Sequence, residues 1–311
     1  MTTEGAAGQL PIPRRHRDLL LAASVLTYLL VTLGGIVCVT DASRGCPDWP
    51  ACYGQLVPPP RTDSIIEYSH RLLAGITSLT ILAAAMAGWH RARSAPWVRW
   101  PPLIAIPFLL AVAAFGAMVV LYGLPPGLAA LDLGSALIVL ALMLVATTVA
   151  VHSHGRASPS GRLSLRSPYS RLAIAALIAV FLVLVSGVLV AASGSGVRCL
   201  GWPLYGGGAD PVDLRGWLEL ARRWLSVPAG ILILAVAVQA WREPKASGAI
   251  RRTAMWAGAF FAVEVAAGAL LIVLGPVLAL QLIHVAAAAA LWSALVILVV
   301  RAGLDSSALA E

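Results

Sequence analysis

Eight apolar stretches of about 20 residues or more, each long enough to cross a hydrocarbon core of about 30 Å as a helix, run at approximately 19–39, 65–89, 101–121, 128–151, 171–192, 217–241, 253–274 and 277–300. Most of the charge lies between them. The pattern predicts an all-α membrane protein with eight transmembrane helices. No stretch carries the midspan Gly/Pro break of a discontinuous transporter helix.

Composition agrees with this and removes other classes. Of the 311 residues 59% are hydrophobic and 12% charged, and the mean hydropathy is +0.87, outside the range of soluble globular domains. A formal charge of +8 would suit a nucleic-acid binder, but the cations are dispersed among short connections. No nucleic-acid partner is expected; the partner is the lipid bilayer. The leader, with Glu4 and little amphipathic pattern, does not read as a cleavable signal or a transit peptide.

Lys and Arg favour cytoplasmic loops. Arg14, Arg15 and Arg17, then Arg91, Arg93 and Arg99, then Arg156, Arg162, Arg166 and Arg171, then Arg242, Lys245, Arg251 and Arg252 mark the N-terminus and the second, fourth and sixth connections. The other connections are uncharged or carry balancing Asp. This predicts a plasma-membrane protein of a prokaryote with both termini cytoplasmic, 1–18 forming the N-terminal segment and 302–311 the tail. Every even-numbered helix then begins at the outer face.

The chain repeats itself. G-C-P-D-W-P-A-C-Y-G at 45–54 is echoed by R-C-L-G-W-P-L-Y-G-G at 198–207, and E-Y-S-H-R at 67–71 by E-L-A-R-R at 219–223. Gly116 to Asp132 and Gly268 to His284 are both separations of 16 residues. The expected architecture is two four-helix bundles, 19–151 and 171–301, joined by a cytoplasmic linker at 152–170 and related by a pseudo-twofold axis along the membrane normal.

Ionisable groups inside spans cost a few kcal/mol, so each is a functional candidate. Superposing the repeats places His70 with Arg222, Asp132 with His284 and Glu67 with Glu219, all in the outer third of even-numbered helices. Facing side chains of a four-helix bundle can ligate an iron from both sides, and imidazole suits iron, which makes heme the natural ligand. The plainer alternatives stand beside this. An intramembrane His also serves as a helix–helix hydrogen-bond partner, Asp132 is suited to a helix N-terminus, and Arg222 to snorkelling toward the interface. His16, His90, His152 and His154 fall in cytoplasmic segments and are expected to be solvated. Cys46 and Cys52 share an outer loop where a disulfide or a metal site can form. Cys199 has Tyr205 where a partner would stand, and Cys38 reads as a small packing residue.

From about residue 19 to 300 the sequence resembles the heme A synthase family, whose members add oxygen to a methyl group of heme O to make heme A for cytochrome oxidases. The resemblance rests on G-G-I-V-C-V-T-D at 34–41, G-C-P-D-W-P-A-C-Y-G at 45–54, I-I-E-Y-S-H-R-L-L-A-G at 65–75, Y-G-L-P-P at 122–126 and Q-L-I-H at 281–284. It implies a substrate heme O in the N-terminal half, a heme b in the C-terminal half and two His ligands in each. His70 and His284 match one ligand in each half, Glu67 matches an essential acid three residues before the first His, and Cys46 and Cys52 match an outer-loop disulfide. Asp132 and Arg222 replace the other two His.

The implied activity is oxidation of the heme O methyl group, with Glu67 as the catalytic acid and His70, His284, Asp132 and Arg222 in contact with heme. Partners implied are heme O, the enzyme that supplies it and an electron donor, with homo-oligomers compatible. The rival readings are a non-catalytic heme-binding or assembly protein and, ranked last, a small-solute transporter.

Overall fold

A computed structural model describes residues 12–122, 126–152, 163–191, 214–243 and 246–308. Among them are eight long helices: α1 (Arg14–Val39), α2 (Thr62–Arg91), α3 (Pro96–Tyr122), α4 (Pro126–His152), α5 (Pro168–Ala191), α6 (Leu214–Arg242), α7 (Gly248–Leu274) and α8 (Leu278–Ala308). Each is long and apolar enough to cross a bilayer, so the protein is an eight-span, all-α membrane protein. A 3₁₀ turn, Ala42–Arg44, follows α1.

Local chemistry accounts for several ends. Asp63 occupies the first turn of α2 and His90 and Arg91 its last, each complementing the helix dipole. Ser247 caps α7 by accepting from the Ile250 N–H, and the helix stops at Gly275, whose φ of 81° is open to glycine. The helices run a few residues beyond the apolar stretches because backbone self-satisfaction continues into the polar interface. The largest difference is at α8, which continues to Ala308 instead of 300, while α1, α3 and α7 start at Arg14, Pro96 and Gly248 instead of 19, 101 and 253. Pro101, Pro102 and Pro107 lie inside α3, and each removes one N–H from the helical ladder without breaking it. Pro228 is similarly accommodated within a continuous α6.

Neighbouring helices pack as α1–α2, α2–α3, α3–α4 and α1–α4, and in the same pattern as α5–α6, α6–α7, α7–α8 and α5–α8. Between these sets α4 and α8 meet each other, α4 meets α5, and α1 meets α8. Accordingly α4 and α8 have the largest buried share and α3 the smallest. Two apolar clusters share these central helices, one including Leu137, Leu140, Leu295 and Leu298, the other Val139, Met143, Val300 and Leu304.

Polar side chains stitch the centre. The Ser24 and Thr147 hydroxyls are 2.8 Å apart, Thr147 donates to the Leu20 carbonyl at 2.9 Å, and the Trp292 indole donates to the Leu137 carbonyl at 3.0 Å. Such bonds between spans contribute about 1 kcal/mol each. Tyr28 donates to the Ala286 carbonyl at 3.2 Å, tying α1 to α8 beside His284.

Candidate functional site

Glu67, His70 and Arg71 follow one another within the first turns of α2, where separations of three and four residues bring side chains to one face. Glu67 is buried, 7% exposed, and accepts from Arg71 Nε at 2.9 Å on Oε1. Arg71 Nη1 donates to the carbonyls of Asp48 and Ala51 at 2.6 and 2.7 Å, and Nη2 to that of Cys46 at 3.3 Å. One guanidinium therefore neutralises Glu67 and anchors the preceding loop.

That loop is closed by a Cys46–Cys52 disulfide, which realises the pairing and removes both thiols from metal binding. The Asp48 carboxylate accepts from the Tyr53 and Gly54 N–H groups, and these bonds hold it below the usual carboxylate range. Ser64 donates to the Gly45 carbonyl at 2.6 Å. A Cβ at Gly45 would collide with the Asp63 and Ser64 backbone, so glycine permits the loop to sit against α2.

His70 projects onto α1. A Cβ at Gly34 would stand 3.2 Å from its Cε1, so the missing side chain makes room for the ring. His70 Nδ1 is enclosed and has no hydrogen-bond partner. A glycine also faces the candidate side chain at two of the other three positions, though at ordinary van der Waals distance: a Cβ at Gly187 of α5 would be 3.6 Å from Arg222 Nη1, and one at Gly268 of α7 would be 3.8 Å from His284 Cε1. Gly116 meets nothing within 4 Å, so its matched spacing to Asp132 does not become a contact.

Asp132 lies beyond the first turn of α4, which holds no acid, and its Oδ1 is enclosed without a partner. The dipole effect falls off within the first turn, so a capping role does not explain it. His284 Nδ1 lies 3.2 Å from Glu264 Oε2 of α7, although the N–H is not aligned for a hydrogen bond. Glu264 is not among the candidates expected from the sequence, although it is the single carboxylate within the apolar stretch 253–274.

The helices bearing the candidates, α2 with α4 and α6 with α8, are not neighbours among the described residues. They stand diagonally in their four-helix sets, with their candidate side chains near one end. Among the described residues no three His, Cys, Asp or Glu side chains converge into a metal cage. An iron here would need its other ligands from elsewhere, as a porphyrin supplies them. The room that Gly34 leaves for the His70 ring and the unpartnered His70 Nδ1 fit an imidazole that would hold such a group in the N-terminal half, and His284, in contact distance of Gly268, would be its counterpart in the C-terminal half.

Other histidines and cysteines refine the picture. His16 is 1% exposed, contrary to the expected solvated ring, because it lies on the inward face of α1 with Leu20, Ala23 and Thr27. Cys38 is exposed and does not pack, being one position off that face after Val37. His90 is exposed and His152 half-buried. His154, Cys199, Tyr205 and the Glu219 side chain lie outside the described residues.

Fold and site together define a multi-pass helical membrane protein with polar, imidazole-bearing positions set into the ends of two four-helix sets. Residues 17–296 match the cytochrome oxidase assembly protein family, COX15-CtaA, and the chain belongs to that family. It is similar to heme A synthase of Exiguobacterium sibiricum, 27% identical over 86% of this chain and 90% of that protein. It is also similar to heme A synthases of Lysinibacillus sphaericus, 30% identical over 74% and 76% of the two chains, and of Staphylococcus haemolyticus, 28% identical over 87% and 90%.

Proposed function

We propose that this protein oxidises a methyl group of heme O in the making of heme A, the activity that the names of its bacterial relatives carry. The observation that supports it best is that His70 and His284 each lay an imidazole against a glycine of a neighbouring helix, on helices that stand diagonally across their own bundles.

In this reading the N-terminal half, 19–151, takes heme O with His70 on iron, and the C-terminal half, 171–301, takes heme b with His284 on iron. The matched helix-neighbour pattern supports a pseudo-twofold relation of the halves. Asp132 and Arg222 occupy the remaining positions, where Arg222 suits a propionate carboxylate and Asp132 leaves an iron position open. Heme bound there supplies a redox-active iron. Gly34 lets the His70 ring approach α1, and the surrounding apolar spans exclude water. Glu67 commits Oε1 to Arg71, so Oε2 is the atom that takes or relays a proton near the substrate methyl.

The protein sits in a prokaryotic plasma membrane with 1–18, the linker 152–170 and the tail 302–311 on the cytoplasmic side, as the Arg distribution supports. An enzyme making heme O and an electron donor are its partners.

Hemes extracted from membranes of cells that make heme O test this. Heme A or its alcohol intermediate should accumulate with the wild type, and not with Glu67→Ala, which should retain its heme. Bound but unoxidised heme in the wild type would favour the second reading, a heme-binding assembly protein, to which Asp132 and Arg222 in place of His lend weight. Absence of heme from purified protein would overturn both.

A further inference from the structure

Glu264 is an acidic side chain of a membrane span that no step above uses. It lies in the middle of α7, with Gly268 one turn further on and therefore on the same face. The His284 ring rests on that face. Its Cε1 would be 3.8 Å from a Cβ at Gly268, and its Nδ1 is 3.2 Å from Glu264 Oε2. Both of those polar atoms are enclosed and have no hydrogen-bond partner elsewhere. The terminal torsion of a Glu side chain is soft, so the carboxylate is free to turn toward the Nδ1–H. The corresponding position one turn before Gly116 is Val112, and His70 Nδ1 has no acceptor. Among the described residues the N-terminal half thus shows no counterpart to this carboxylate.

We infer that Glu264 is a positioning residue for an axial ligand: it accepts the Nδ1–H of His284, presents Nε2 to a heme iron and makes that imidazole the more electron-rich of the two. This rests on the reading of His284 as an iron ligand. A carboxylate behind a metal-bound imidazole fixes its tautomer and raises its basicity, which favours ferric over ferrous iron and tightens the bond. The heme held by His284 would then be the lower-potential of the two.

The test uses full-length His70→Ala protein purified with its remaining heme. If His284→Ala in this background keeps that heme, the ligand reading itself fails. If the heme is lost, Glu264→Gln is compared with the His70→Ala parent by redox titration and by resonance Raman of the ferrous protein. Glu264→Gln should raise the ferrous-to-ferric ratio at fixed ambient potential about tenfold, equal to about 59 mV for one electron, and lower the iron–histidine stretching frequency. Glu264→Asp, which keeps an acceptor on a shorter arm, should fall between them. An unchanged ratio and stretch in Glu264→Gln would overturn the inference, since a purely structural role moves neither. If Glu264→Gln loses its heme, Glu264→Asp decides: an intermediate stretch supports the inference and a parent-like one overturns it.

Discussion

Arg71 grips Glu67 at 2.9 Å while its remaining nitrogens hold three carbonyls of the disulfide loop, so one side chain joins the candidate catalytic acid to that loop. Both partners are about nine-tenths buried. Arg71→Ala should therefore cost about 3–5 kcal/mol, the usual consequence of leaving a buried charge unpaired. Glu67→Gln combined with Arg71→Ala should cost less than the two single changes summed. Denaturation of the four proteins in detergent measures the coupling, and strict additivity would show that the pair does not act as a unit.

Gly35 lies beside Gly34 on α1, and a Cβ there would overlap the Val285 side chain of α8, next to His284. Gly35→Ala should destabilise by about 1–3 kcal/mol through overpacking and, on the proposed reading of His284 as an iron ligand, weaken heme retention. Val285→Ala in the same chain should restore much of both. The measurement is heme content and thermal midpoint of the single and double variants.

The Asp48 carboxylate is held below its usual range, first by the Gly54 N–H. A depressed folded value contributes stability above the unfolded pKa and loses it as pH falls through the folded one. The 46–55 loop should loosen as the medium is acidified below about pH 4, where an unperturbed Asp titrates. Asp48→Asn should flatten that dependence. Proteolysis of the loop as a function of pH reads it directly.

Cys46→Ser or Cys52→Ser should lower stability by about 2 kcal/mol, the loop-closure contribution of so short a ring. Non-reduced peptide mass spectrometry of the wild type should show the linked pair. Two free thiols after blocking at lysis would contradict it.

With Cys38→Ser and Cys199→Ser removing the two cysteines outside the Cys46–Cys52 pair, cysteines at Thr62 and Ser94, both exposed, report orientation. An impermeant maleimide should label the first from outside intact cells and spare the second. Equal labelling would reverse or dissolve the proposed topology.

Hydropathy is a one-dimensional property, and lipid obliges each spanning backbone to satisfy itself within its own helix. For that reason eight helices and their approximate limits are legible in the residues alone, as are Glu67 and His70 on one face of α2. The pairing of Cys46 with Cys52 is legible too, carried by a motif. Contacts between helices depend on the rotation and depth of each against its neighbour, and ridge-and-groove packing sets those collectively. Thus Glu264 against His284, Gly34 against His70, the inward turn of His16 and the reach of Arg71 across to the Cys46 carbonyl emerge only in three dimensions. In each case the partners lie on different elements or far apart in the chain, and no spacing within one segment encodes their meeting.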